Sequence, residues 1–364
     1  MEMQQISARN LRSLLVMMVL CGSLISGTLT TAQDNWLSVL LIGVLFLPLL
    51  LIYSRIAALF PGKNLYDIIQ ILFGPVAGFL MIFFMTAYAL LVNALQLRNF
   101  TEFTVVIALQ DTPPVPIMLI LFLPVFYLAR AGVAVLGRWS IVVCSLILVN
   151  FALTLLLSLN IIDLSHILPV MDHSLGEIAS NAFTLGSIAV GETVIVMTIL
   201  GNLKKGESPY KVYLGGVLTG VALFTLVLLR NILILGPDME QAASFSTYMA
   251  VRVIGVGHFF ERIESSISFT YILLGITKMA LFLSAASMGI ARLMRVSDHR
   301  RLLVPASLLV LAAGTVVFGN IFEMFDLAWV SRYFVLPFQV LIPVIIWIAA
   351  EQRKSRLVSQ ETAN

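Results

Sequence analysis

Charge is scarce in this 364-residue chain. Asp, Glu, Lys and Arg make up 11% of it, whereas a soluble domain carries about 25%. So few charges cannot cover a water-facing surface, which excludes an ordinary soluble globular domain. Cysteine is almost absent: Cys21 and Cys144 both lie in apolar runs, so packing roles are expected rather than a disulfide framework or a metal site. The four histidines (His166, His173, His258 and His299) are scattered without metal-ligand spacing and read as solvated loop residues. Walker and dinucleotide-binding glycine motifs are missing, as are the metal-ligand spacings of hydrolases. Neither an enzyme, a cofactor, a metal nor a nucleic-acid partner is therefore expected. What is plentiful is apolar surface, with 60% hydrophobic residues and a mean hydropathy of +1.01. The implied solvent is lipid.

Apolar stretches of about 20 residues between polar punctuation number ten. They run near 11–31, 36–58, 76–108, 115–129, 139–159, 178–202, 212–235, 264–291, 302–320 and 332–350. The first is too long for a signal-peptide core and no small-residue cleavage site follows it, so it reads as a retained span. With the N-terminus inside, sixteen basic residues fall on the cytoplasmic face, among them Arg9, Lys63, Lys204, Lys205, Arg295 and Arg301. Only Arg252, Arg262 and Arg332 fall outside. This asymmetry follows the positive-inside rule and puts both termini in the cytoplasm. The outer loops are acidic, with Asp34, Asp111, Asp172 and Glu323 among them, and no soluble domain remains between spans.

Ten spans divide into two sets of five, residues 1–160 and 161–364, and an odd number per set makes the halves inverted repeats. The expected architecture is an all-α 5+5 inverted-repeat fold whose spans 1 and 6 are broken at the midplane. Matching clusters of small residues lie there: Gly22, Ser23, Ser26 and Gly27 in span 1, and Gly186, Ser187 and Gly191 in span 6. Two explanations compete: close helix packing, and interruption of the helix to expose backbone groups to a ligand. On the second, Gly22, Ser23, Ser26, Gly186, Ser187 and Gly191 line a ligand pocket at mid-depth. The links 59–75 and 236–263 are long enough for surface helices, the second built on Phe245, Tyr248, Met249 and Arg252 as an outer lid.

Ionisable groups inside spans are expensive and mark function by default. Lys278 lies near the middle of span 8, on a face shared with Tyr271, Gly275, Phe282 and Ala285. Glu192 lies at similar depth in span 6, as a partner or as a separate group. Arg98 and Glu102, four apart on span 3, read as a structural pair. Arg230, near the outer end of span 7, is expected to snorkel to the interface. Asp34 and Trp36 have a bland reading as the cap and anchor of span 2, Phe60-Pro61-Gly62 as a turn, and Arg262 with Glu264 as a surface pair.

Several short motifs occur in a family order along nearly the whole chain. Ile6-Ser7 leads into span 1, Ala32-Gln33-Asp34-Asn35-Trp36 follows it, and Phe60-Pro61-Gly62-Lys63-Asn64 follows span 2. Asp111-Thr112-Pro113, Ala129-Arg130-Ala131-Gly132, Leu168-Pro169, Gly191-Glu192 and Glu261-Arg262-Ile263-Glu264 come next. In this the chain resembles the B subunits of GerA-type spore germinant receptors, of the amino acid–polyamine–organocation transporter superfamily. The resemblance implies a LeuT-like fold and a place in the inner membrane of an endospore. It also implies assembly with an A subunit and a lipoprotein C subunit, and a small germinant, often an amino acid, bound at the midplane. In that fold spans 1 and 8 flank the ion site of sodium-coupled members. Lys278 would supply a fixed positive charge there and donate to carbonyls freed in span 1. Three functions follow: a germinant-sensing subunit, an amino acid transporter, with protons as the candidate coupling ion, and a structural subunit with an unused pocket.

Overall fold

In lipid every backbone polar group must be satisfied within the chain, so apolar runs of this kind become helices. The computed structural model describes residues 5–23, 31–254, 264–317 and 319–363, and apart from a bridge between Ile6 and Leu203 the regular structure among them is helical. The helices are α1 (Ala8–Leu20), α2 (Asn35–Leu45), α3 (Leu47–Leu59), α4 (Leu65–Ile107), α5 (Pro114–Ala131), α6 (Val133–Ser158) and α7 (Leu175–Ala189). They continue with α8 (Met197–Leu200), α9 (Pro209–Ala242), α10 (Ser246–Arg252), α11 (Glu264–Leu293), α12 (Leu303–Val316), α13 (Ile321–Phe334) and α14 (Ile342–Ala363).

Among the described residues, eight helical segments are long and apolar enough to cross a membrane. The expected first and ninth spans carry α1 and α12, of 13 and 14 residues, and span 1 continues into residues 24–30, outside the described ones. The expected span 10 starts too late in sequence. Asn320 accepts from the backbone N–H groups of Phe322 and Glu323 and so starts α13 at Ile321. Glu323, Asp326 and Arg332 thus lie on a helix rather than in a loop, and Arg332 donates to Ser180 and Thr184 of α7.

Burial orders the bundle. In the most apolar window of Leu175–Leu200, 94% of residues are buried, against 28% for Val133–Ser158. Span 6 is therefore the central element, with α11 beside it, while Leu123, Tyr127, Val142 and Val149 are exposed on the lipid-facing helices. α1 packs on α9, where Gly216 and Gly220 leave room for Leu15 and Val19. The link after span 2 carries its surface helix: Asn64 and Asp67 form a capping box, and Gly74 (φ 69°) followed by Pro75 kinks the chain into span 3. On the outer side α9 kinks likewise at Gly236 (φ 71°) before Pro237, and α10 follows as the expected outer helix.

Several expectations change once the elements are assembled. Asp34 makes no side-chain cap to α2. It is fully buried and accepts from the backbone N–H of Met171 and His173 and from the His173 ring, at 2.9, 2.9 and 3.1 Å. It therefore latches the loop before span 6 onto the start of span 2, and His173 is a latch partner rather than a solvated side chain. His166 is half-buried, its ring 3.3 Å from the Leu233 carbonyl. Arg230 does not snorkel; it is buried. Arg262, and with it the expected pair with Glu264, lies outside the described residues. At the inner end, the Ile6 N–H donates to Asn202 O and the Lys204 N–H to Ile6 O, fastening the N-terminus beneath span 6.

The asymmetry of basic residues predicts a sided topology. A reporter fused after Lys205 or Arg301 should read cytoplasmic and one after Asp172 or Asp238 exterior. An exterior signal from the loop holding Arg295 and Arg301 would contradict it.

Candidate functional site

Span 6 does not run as one α-helix. α7 ends at Ala189, residues Gly191–Val196 tighten into a 3₁₀ segment, and α8 is a single turn. Shifting from i→i−4 to i→i−3 bonding frees carbonyls, and in a dry interior each needs a donor. Side chains from four other spans supply them. Gln339 Nε2 donates to Ser187 O at 2.9 Å, Lys278 Nζ to Ile188 O at 3.4 Å, Tyr53 OH to Gly191 O at 3.5 Å and Tyr213 OH to Thr193 O at 3.1 Å. Thr193 Oγ donates back to Val190 O at 2.6 Å.

Gln339 sits at this point because α13 and α14 meet through a π-helical segment over Pro337–Leu341, where the proline disrupts the ladder. Its amide also donates to Tyr88 OH at 2.9 Å, and its backbone carbonyl, at 2.5 Å, takes the larger share of the single Tyr53 hydroxyl proton that also faces Gly191 O. The sequence reading missed Gln339, Tyr53, Tyr88 and Tyr213. A glutamine beside a proline inside an apolar run was the available signal.

Lys278 and Glu192 form the ion pair at the centre, Nζ to Oε2 at 2.8 Å, with both residues buried. Lys278 reaches a carbonyl at the C-terminal end of α7, where the helix dipole favours a cation. Among the described residues the acceptor belongs to span 6; the span 1 carbonyls expected to take this role fall in residues 24–30, outside the described ones. The predicted face of α11 is the one that meets the other core spans. Tyr271 OH lies 3.1 Å from Ser23 Oγ, Gly275 makes room for the Phe100 ring, Phe282 packs on Tyr88, and the Ala285 carbonyl accepts from Tyr66 OH at 3.0 Å. Arg98 and Glu102 are paired at 2.6 Å, and Arg98 also donates to Gly319 O at 3.1 Å.

Two small cavities lie among the core helices, and one of them adjoins the 3₁₀ segment of span 6. One, of about 40 Å³, lies between α4, span 6 and α13 and is lined by Gln96, Asn99, Ser187 and Glu192 among others. The other, of about 60 Å³, reaches from Ser23 past Tyr271 to Arg230. The expected pocket residues are therefore divided: Ser23 lines one cavity and Ser187 the other, Ser23 also donating to Leu20 O at 2.7 Å. The glycines sit at close approaches. A Cβ on Gly22 would stand 2.8 Å from Ala189 Cβ, one on Gly186 2.1 Å from the Phe46 ring, and one on Gly191 2.0 Å from Gln339 Oε1. Gly22 is thus a point of close approach between spans 1 and 6. Ser26 lies outside the described residues.

Residues 5–320 match the model of a protein family described as "Spore germination protein". The chain belongs to this family of spore germination permeases. It is 26% identical over 362 residues to spore germination protein KB of Bacillus subtilis (strain 168), covering 98% of this chain and 97% of that protein. The putative spore germination protein YfkT of the same organism is 23% identical over 325 residues, 88% of either chain. Among solved structures, Mhp1, a nucleobase-cation-symport-1 family transporter in a closed conformation with bromovinylhydantoin bound, superposes with a TM-score of 0.63. It has 15% sequence identity, over 94% of this chain and 78% of Mhp1. The fold is thus LeuT-like, and the protein is an integral, multi-pass, permease-like membrane protein related to germination proteins. The expectation from GerA-type motifs and the family agree.

The close approach at Gly191 is directly testable. Gly191→Ala should lower the thermal stability of the chain in lipid nanodiscs by about 1–3 kcal/mol, the usual cost of overpacking. Gly191→Ala with Gln339→Ala should lose less than the two single changes added together. Strict additivity would mean that these residues are not in contact.

Proposed function

We propose that this chain is the nutrient-sensing membrane subunit of a spore germination receptor. It binds a small germinant, an amino acid by the family's habit, and signals through an A subunit and a lipoprotein C subunit in the inner membrane of the spore. The proposed frame is ten spans in two inverted repeats, 1–160 and 161–364. Gly22, Ser23, Ser26, Gly186, Ser187 and Gly191 surround the ligand's path between spans 1 and 6. The chain acts by binding and rearrangement, not by chemistry on its ligand.

The buried Lys278–Glu192 pair at the break in span 6 supports this reading most strongly. A fixed ammonium can hold α11 against span 6 without a bound metal cation, so the resting state needs no ion gradient. Glu192 also lines the cleft beside Gln96 and Asn99. A ligand entering there meets the one charged pair that joins span 6 to α11. A ligand that favours a different seating of span 6 shifts the balance between two arrangements, and that shift is the signal.

One observation favours a second reading, transport of an amino acid: the likeness in fold to a symport-family transporter. Uptake of labelled amino acids into proteoliposomes distinguishes the two.

The sensing reading predicts that deleting the gene removes the spore's response to at least one nutrient in a screen of single amino acids and sugars, and that restoring it returns the response. Lys278→Ala, at normal protein level, should abolish that response or raise the nutrient concentration needed, Lys278→Arg should partly preserve it, and external sodium should not matter. A normal response with Lys278→Ala, or a sodium requirement, would overturn this role for the lysine.

A further inference from the structure

Arg230 is another buried charge of the bundle, and its surroundings differ from those of Lys278. Its side chain is buried, 2% exposed. Nη1 donates to Thr154 Oγ1 at 3.1 Å and Nη2 to Asn231 Oδ1 at 2.7 Å, while the guanidinium lies 5.7 Å from the centre of the Phe151 ring. These contacts hold the group in place, but every acceptor is neutral. Nε is buried and has no hydrogen-bond partner, and no ion pair of Arg230 occurs among the described residues. Glu240 is close enough to interact with the charge, yet stays beyond ion-pair distance. An isolated buried cation is costly unless an anion meets it.

Arg230 lines the cavity of about 60 Å³ that extends to Ser23 and Tyr271. A water needs roughly 10–15 Å³ measured in this way, so the space holds about four to six water-sized groups. Its walls are mainly apolar, with Ile147, Leu223, Val227 and Leu274. One rigid guanidinium, with the neutral polar groups of Ser23, Asn150, Thr247, Thr270 and Tyr271 set among mainly apolar walls, matches a carboxylate on a small, mainly apolar body.

We propose that Arg230 anchors the carboxylate of a small, mainly apolar ligand in the chamber between α1, α6, α9, α10 and α11. Nε and a neighbouring Nη donate to the two carboxylate oxygens, and the ligand's body extends toward Ser23 and Tyr271. Asn231, which holds Nη2, also donates to Thr247 Oγ1 of α10 at 2.8 Å. Occupancy at Arg230 is thereby linked to the outer helix, whose flanking Phe245 packs on Phe103 at 5.0 Å. This chamber is separate from the cleft lined by Ser187 and Glu192, so it is a second ligand position, and its role in germination rests on the sensing reading.

The test uses the full chain in lipid nanodiscs and matched probes: acetate and acetamide, L-alanine and L-alaninamide, L-valine and L-valinamide. At least one acid should raise the unfolding temperature at a concentration roughly ten- to hundredfold lower than its amide, the range for a charged hydrogen-bonded contact. Arg230→Gln should remove that preference and Arg230→Lys retain part of it. Val227→Phe, which fills the chamber and leaves the arginine, should weaken binding and decides the matter if Arg230→Gln fails to fold. The proposal is overturned if no acid is preferred over its amide, or if the preference survives Arg230→Gln or Val227→Phe. Spores separate the two levels. A nutrient response that needs this chain but is unchanged by Arg230→Gln removes the anchor and leaves the sensing reading standing. A response unaffected by deleting the chain removes the sensing reading itself.

Discussion

The constraint on which the rest depends is the supply of hydrogen-bond donors to the carbonyls of span 6 between Ser187 and Thr193. A soluble protein could leave these groups to water. A segment this deeply buried cannot, and each unsatisfied group there costs several kcal/mol. The sequence meets the demand with Gln339, Lys278, Tyr53 and Tyr213, drawn from four different spans. Span 6 is consequently the junction at which those spans are joined, and displacing it changes the pairing of all of them. Charge adds a second requirement. Lys278 brings a cation into the core and Glu192 compensates it, and neither has another counter-ion within reach among the described residues.

Such a centre is suited to two-state behaviour. Buried polar networks are satisfied in one arrangement or another, and partly satisfied intermediates are penalised. The 3₁₀ segment Gly191–Val196 carries no side-chain cap at its start and opens on a glycine followed mainly by residues of modest helical propensity, so little intrinsic helical preference opposes a change of register. The Asp34–His173 latch above and the bridge between Ile6 and the strand-like segment at Leu203 below fasten the two ends of the same span. Movement in span 6 is thus bounded at both ends and adjustable in the middle, which is what a ligand-responsive element requires.

Much of this was legible in the sequence because lipid makes charge conspicuous. Lys278, Glu192, Arg98 and Glu102 stand out in apolar runs whatever their neighbours, and helical periodicity gave the face of α11 correctly. What resisted reading depends on distant partners. Arg230 lies close enough to a helix end to snorkel, and only the approach of Thr154 and Phe151 keeps it inside. Asp34 has the chemistry of a helix cap, but its acceptors are used by a loop more than a hundred residues away. The glycine clusters stand out in the sequence of both halves, but the groups packed against Gly186 and Gly191, Phe46 and Gln339, come from other spans and have no local signal. Glu323, Asp326 and Arg332 suggested a loop by polarity, yet Asn320 supplies a cap that starts the last long helix earlier.

The most direct measurement of the central claim is a double-mutant cycle on Lys278 and Glu192, read as thermal stability of the full chain in lipid nanodiscs. Removing one member of a buried pair strands the other charge and costs about 3–5 kcal/mol, whereas removing both leaves no stranded charge. Lys278→Met and Glu192→Gln should each destabilise strongly, and the double change should be more stable than their sum predicts by roughly 2 kcal/mol or more. Simple additivity of the two single changes would contradict the account, because it would mean that the charges do not hold span 6 to α11.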